Sequence, residues 1–231
     1  MEYKHKLLPA TVISVCNNLI VDAKLEDSQK VSAFCAAVEV SDLCKKGGKI
    51  WLKRSSIPKR LVKYDVDFVE TPEGIVFANP KYSRQLFQEA FEQKNIVDLM
   101  EYDECISLGE NDNSKGIDFE LKAKNGHSSF VFVTSIYDKM DGYAVFPHAI
   151  NFFEMKMFDE MMHRKKMGAD VYVFMIVPRN DCVQAKFVWH LDALAAASIF
   201  DAAKNGVKFL CYGCKVEKNK IEIDRKMEIL Y

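Results

Sequence analysis

The sequence has no long apolar run, no excess of either charge and no paired set of metal-binding cysteines or histidines, and each lack removes a class of function. No stretch approaches the ~20 consecutive apolar residues of a membrane span. The opening MEYKHKLLPATV offers only two leucines before Pro9, so no secretory signal is visible. A formal net charge of −1 excludes a uniformly basic nucleic-acid binder. A local basic face can still act, because affinity follows the phosphates actually neutralised. Seven cysteines, an odd number scattered at 16, 35, 44, 105, 182, 211 and 214, fit reduced thiols better than a disulfide framework. Together these absences predict a cytoplasmic protein with no membrane partner. What is present is ample for folding: 231 residues, 49% hydrophobic and 28% charged, can bury a sizeable core as one large domain or two small ones.

The chain changes character near residue 80. Before it run short alternating segments rich in valine and isoleucine, ATVISVC, LIVDAKL, KVSAFCAAVEV, KIWLKRS and RLVKYDVDFVE, separated by turn signals such as EDSQK, KKGG and TPEG. This spacing predicts a small antiparallel β barrel over residues 1–80. After it, Leu86, Phe87, Ala90 and Phe91 recur at helical spacing, with Asn79 or Ser83 available as a cap. The strands ECISL, GIDFELKA, SSFVFVTSI, DVYVFMIV and VKFLCYGCKV then alternate with the helical stretches HAINFFEMKMFDEMMHRKK and LDALAAASIFDAAKN. That order predicts an α/β domain with a mixed sheet over 81–231, and an α+β protein as a whole. No internal repeat or low-complexity linker is visible.

The ordered set GIDFEL, a hydrophobic strand, YAVFPHAI, a helix, DVYVFMIVPRND and HLDALAAASIFDAAKNGVKFLCYGCKV resembles the C-terminal half of the sugar fermentation stimulation protein A family. The first half fits more faintly. The resemblance implies an OB-like barrel followed by a domain related to the PD-(D/E)xK nucleases, in a family described as nucleic-acid binding or as nucleases. Such a nuclease needs carboxylates to hold Mg²⁺ or Mn²⁺ and a lysine or similar group to position the attacking water.

Set against that pattern, Asp118 matches the first carboxylate, while Phe132 and Thr134 stand where the second strand should carry its glutamate and lysine. His148 replaces the acid after FP, and Phe153 the helix arginine. The family's Cys-Pro-Asn-Thr-Gly stretch appears as CAAVE at 35–39. Loss of several such groups predicts loss of catalysis, since a missing general acid or base alone costs about 10² to 10⁴ in rate. A shifted site remains open. Asp118, Glu120 and Lys122 alternate and so share a strand face, with Glu104 upstream as a second carboxylate beside Asp118 for a metal. The competing reading makes the same residues a polar strand face over a core of Ile117, Phe119 and Leu121.

Basic clusters lie at 45–49, 53–63 and 163–166. An OB-like surface holds single strands through phosphate contacts and base stacking, which nominates Lys49, Trp51, Lys53, Arg54, Lys59 and Arg60. The Met- and Phe-rich stretch 149–167 predicts a helix whose wide apolar stripe either completes the core or serves a homodimer. Cys211 and Cys214 have zinc-knuckle spacing, but a structural zinc needs four ligands, so Cys211 is expected as a buried strand thiol. GENDNSKG at 109–116 lacks the ending of a phosphate loop and is expected as an exposed loop. Three classes of function follow: an inactive binder of single-stranded DNA or RNA needing no cofactor, a nuclease using Mg²⁺ or Mn²⁺, and a structural or interaction protein.

Overall fold

A computed structural model describes the chain except for Asn18, 109–115 and 148–151, and gives no side chains for 152–156. The chain divides into two compact units. The first comprises Met1–Ser83 with Pro178–Asp181 and Cys214–Glu222, and the second Arg84–Val177, Cys182–Gly213 and Ile223–Tyr231.

The first unit is built on strands β1 (Leu7–Cys16), β2 (Ile20–Leu25), β3 (Lys30–Phe34), β4 (Lys49–Arg54), β5 (Tyr64–Thr71) and β6 (Gly74–Phe77). They are ordered β3-β2-β1-β4-β5-β6. A parallel pairing of β3 with β5, Ala33 opposite Tyr64 and Phe34 opposite Asp65, closes the first five into a barrel. Closure satisfies edge groups that would otherwise invite a foreign strand. Alternation sets the faces: Val21, Ala23, Ile50, Leu52, Val66 and Phe68 point inward and are buried, while Lys24, Lys30 and Lys49 point out.

The stretch KVSAFCAAVEV is not one strand. β3 ends at Phe34 and a short helix, α1 (Val38–Leu43), follows, burying Val40 at 0% exposure. Alanine and glutamate are poor strand formers, so once the ladder ends this segment coils over the barrel instead. Gly47 enters β4 at φ +80, a left-handed backbone that glycine adopts without strain.

The second unit carries a sheet ordered β15-β14-β12-β9-β8-β7, made from β7 (Tyr102–Ser107), β8 (Phe119–Ala123), β9 (Ser128–Ser135), β12 (Asp170–Val177), β14 (Lys208–Glu217) and β15 (Lys220–Met227). The far ends of the last two belong to the first unit. β9, β12 and β14 run parallel, and β7, β8 and β9 antiparallel, so the sheet is mixed. A smaller sheet joins β10 (Lys139–Met140), β11 (Tyr143–Phe146), β13 (Ala185–Phe187) and β16 (Ile229–Leu230).

Helix α2 (Ser83–Glu92) packs Phe87 against Phe119 and Phe174, with ring centres 4.9 and 4.8 Å apart. Asn79 accepts from Lys81 N at 3.2 Å and caps the short turn before α2. Helices α3 (Phe152–Lys166) and α4 (Ala193–Lys204) serve a second core. There Met161, Ala196 and Ile199 join Phe132, Val173 and Cys211. Asp192 caps α4, accepting from Ala195 N at 2.9 Å. Met157, Phe158 and Met162 of α3 pack on the same core. That part of the apolar stripe is therefore used within the unit. Among the described residues no helix is long and apolar enough to cross a membrane.

Candidate functional site

Asp118 lies just before β8, where the register sets Phe119 opposite Val131 on β9, so Asp118 comes opposite Phe132. The two positions that the sequence pairs as carboxylate and lost glutamate are thus real neighbours across the ladder. Their environments differ sharply. Phe132 is 1% exposed and sits in the core with Val173 and Met161, whereas Asp118 reaches a partly exposed polar site. Thr134, which the resemblance sets at the lysine position, is half-buried opposite Met175 on β12.

The Asp118 carboxylate is held from two sides. Arg84, in the first turn of α2, donates Nη1 to Oδ1 at 2.9 Å, Nη2 to the Asp118 carbonyl at 3.1 Å and Nη2 to Ser107 Oγ at 2.9 Å. The Val133 amide donates to Oδ2 at 2.7 Å. The guanidinium also lies 5.3 Å from the ring centre of Phe119, which fixes its plane. A planar fork with bidentate reach suits this role better than a point charge. Sequence reasoning missed Arg84 because SRQLFQ was read for its apolar spacing, and nothing local couples it to a residue 34 positions on.

Glu104 does not join Asp118. It is exposed on β7 opposite Lys122, while Leu108 N bonds the Asp118 carbonyl at 2.9 Å, leaving Glu104 four residues away along the strand, roughly 13 Å. The metal pair Asp118 and Glu104 is therefore not assembled. Glu120 and Lys122 share a face with Glu104 beside them, and Glu120 accepts from Ser128 Oγ at 2.9 Å. Among the described residues no group of three or more His, Cys, Asp or Glu is placed to hold a metal ion. The described partners of the Asp118 carboxylate are a guanidinium and a backbone amide, both donors, not the further hard oxygen ligands that Mg²⁺ or Mn²⁺ prefers. His148 lies outside the described residues, as do the side chain of Phe153 and most of the 109–116 stretch.

On the barrel, Lys49, Arg54 and Lys59 are exposed. The other nominated residues are engaged within the fold. Lys53 donates to Tyr82 Oη at 2.9 Å and lies 3.6 Å from Asp67. Arg60 donates to Asp65 at 2.8 Å and covers the ring of Phe34. Trp51 is half-buried, its Nε1 donates to Glu70 at 3.0 Å, and Lys218 Nζ stands 3.7 Å from the ring centre with Lys49 Nζ at 4.8 Å. The expectation of Trp51 as an open stacking platform is corrected accordingly. A cation sits over the indole where a base would lie. Burial works to raise the Glu70 pKa, but the Trp51 N–H and Lys218 overcome it and hold Glu70 below the usual carboxylate range.

Beneath this face, Asp67 is fully buried. It accepts hydrogen bonds from Tyr3 Oη and from Asn79 Nδ2, the latter at 2.8 Å. Burial raises its pKa despite those donors and Lys53. Cys211 and Cys214 are both buried, and burial pushes the Cys211 thiol up to about 12.

The comparisons agree with this architecture. The model of the sugar fermentation stimulation protein RE domain matches residues 81–220. A sugar fermentation stimulation protein homolog from Maricaulis maris is 27% identical over 234 residues, covering 99% of this chain and 98% of that protein. One from Paramagnetospirillum magneticum is 24% identical, covering 96% and 95%. The solved structure of Pyrococcus furiosus SfsA in complex with Ca²⁺ superposes with a TM-score of 0.82 over the whole of both chains, at 15% identity. That likeness shows a common fold, barrel and mixed sheet included. Because the family model covers more than half of its 231 residues, the chain belongs to the sugar fermentation stimulation protein family.

Proposed function

We propose that this protein is a catalytically inactive member of its family that binds single-stranded nucleic acid. The observation that carries the inactive part is the capture of Asp118 by Arg84 and the Val133 amide, with Phe132 filling the neighbouring slot. A guanidinium at this place supplies the positive charge that a divalent ion would otherwise bring, so the carboxylate has little to gain from a metal. The binding part is supported by the exposed cations of the barrel and by an OB-like framework, which in other proteins holds single strands. The Pyrococcus furiosus relative was solved with Ca²⁺, so the metal question is experimentally direct.

The test is a nuclease assay on single- and double-stranded DNA and RNA with Mg²⁺ or Mn²⁺, beside Asp118→Ala and Glu120→Gln variants, together with a binding titration. The expected result is binding at low salt with no cleavage above the Asp118→Ala control. Cleavage abolished by Asp118→Ala would restore the nuclease reading at the old site. Cleavage abolished only by Glu120→Gln would place it on the shifted face of Glu104, Glu120 and Lys122.

A further inference from the structure

The outer face of the barrel carries a line of cations that crosses its strands. Lys30 on β3 is opposite Lys24 on β2, Lys24 is opposite Thr11 on β1, and Thr11 is opposite Lys49 on β4. Directly opposite residues share a face, and all four are exposed. Adjacent strands lie about 4.8 Å apart, so the line from Lys30 to Lys49 is roughly 15 Å long.

Lys24 and Lys49 flank an open concavity of about 480 Å³, into which Thr11 and Ser28 bring hydroxyls. Glu26 is the acid among its lining residues. Lys49 is one of the cations that act on Glu70, which Trp51 and Lys218 already engage. Among the described residues no ion pair or hydrogen bond involves the ammonium of Lys24 or Lys30, though like charges directly opposite each other destabilise a sheet.

Resting on the nucleic-acid reading above, we infer that Lys30, Lys24 and Lys49 form the phosphate track of the barrel, along which a single strand runs across β3, β2, β1 and β4 with a nucleotide in the concavity between Lys24 and Lys49. The length of the line separates this occupant from a lone phosphate or carboxylate, which one ammonium pair would satisfy. A chain of regularly spaced phosphates answers a row of lysines, and the hydroxyls of Thr11 and Ser28 add neutral donors at its centre. The track overlaps the patch nominated from sequence only at Lys49. The cations engaged within the fold, Lys53 and Arg60, lie outside it.

The test titrates a labelled single-stranded oligothymidylate against three proteins over a range of salt: the full chain, its Lys24→Gln/Lys30→Gln/Lys49→Gln variant, and a charge-matched Lys124→Gln/Lys166→Gln/Lys204→Gln variant altered at exposed lysines of the second unit. Each phosphate contact contributes about 0.7 to the log-log salt slope. Loss of the track should therefore lower the slope by about 2 and the low-salt affinity by about tenfold or more, while the matched variant stays close to the full chain. Equal slopes for the track variant and the full chain would overturn the track and leave nucleic-acid binding standing. Equal losses in both variants would also overturn it, since total charge would then suffice. No binding by the full chain at low salt would remove the binding reading itself and the track with it.

Discussion

Arg84 holds Asp118 by two contacts, Nη1 to the carboxylate at 2.9 Å and Nη2 to the backbone carbonyl at 3.1 Å, so that one side chain from α2 fixes both the charge and the strand entry. The side chains are 28% and 16% exposed, which places the pair between a buried ion pair and a solvated one. The contact ties the first turn of α2 to the entry of β8 and makes Asp118 part of the scaffold.

Arg84→Ala should cost about 1 to 2 kcal/mol, a charge-assisted contact discounted for partial solvent screening. In a chain of this size that is a fall of roughly 2–8 °C in melting temperature. Arg84→Lys should recover only part, because an ammonium cannot bridge the carboxylate, the carbonyl and Ser107 together. A double-mutant cycle with Asp118→Ala reads the coupling, and additive losses would refute it.

Placing a glutamate at 132 and a lysine at 134 should fail through stability. Phe132 is 1% exposed and packed among Val173, Met161 and Ile199. Phe132→Glu loses an aromatic core residue, about 3–5 kcal/mol even for truncation to alanine, and buries a carboxylate as well. The Phe132→Glu/Thr134→Lys double variant should thus be largely unfolded or melt far below the wild type, while Phe132→Leu stays folded. An unchanged melting temperature for the double variant would refute this account of Phe132.

Asp67 predicts a particular dependence on pH. Burial raises its folded pKa in spite of Tyr3, Asn79 and Lys53, so the fold holds its proton more tightly than the unfolded chain does, whose aspartate titrates near about 3.9. The resulting stabilisation is fully present below that value and is lost as pH rises through the folded pKa. Melting curves of the wild type and Asp67→Asn should therefore diverge upward from about pH 4, with the wild type losing ground to the variant. A wild type that gains on Asp67→Asn over that range would mean that the carboxylate is held ionised.

Much of the fold was legible because it is written in short-range patterns. Alternating valines marked the barrel, and the 3.6-residue spacing of Leu86, Phe87 and Phe91 marked α2. The break after Phe34 was not, since valines at 38 and 40 continue the strand pattern while the backbone has already turned helical. At the site, the apolar character of Phe132 was readable from its strand, whereas the role of Arg84 was not, because its partner is set by how α2 lies on the sheet. Lys24 and Lys30 fall between these cases. Their pairing follows from the β2–β3 hairpin register, but the turn EDSQ does not by itself fix that register. Trp51 lies on the strand face opposite the buried Ile50 and Leu52, and strand parity is enough to say so. What parity could not supply was Lys218, brought over the ring from a turn 167 residues later in the chain.

That arrangement makes the last prediction one of opposite signs at neighbouring residues. An open aromatic platform is worth on the order of 1–3 kcal/mol per stacked base. Trp51, with Lys218 at 3.7 Å from its ring centre, should lose less, so Trp51→Ala should weaken binding of a single strand by about 1 kcal/mol or less. Glu70 anchors the indole N–H and pairs with Lys218 at 3.2 Å. Glu70→Gln keeps an acceptor for the N–H but removes the charge that detains Lys218, freeing that ammonium for phosphate. Affinity should rise at low salt, and the log-log slope should steepen by about 0.7, one additional phosphate contact. Fluorescence titrations of both variants at several salt concentrations decide the matter. A loss above the stated bound for Trp51→Ala would mean that a base displaces Lys218 and stacks, and an unchanged slope for Glu70→Gln would mean that Lys218 takes no part in holding the strand.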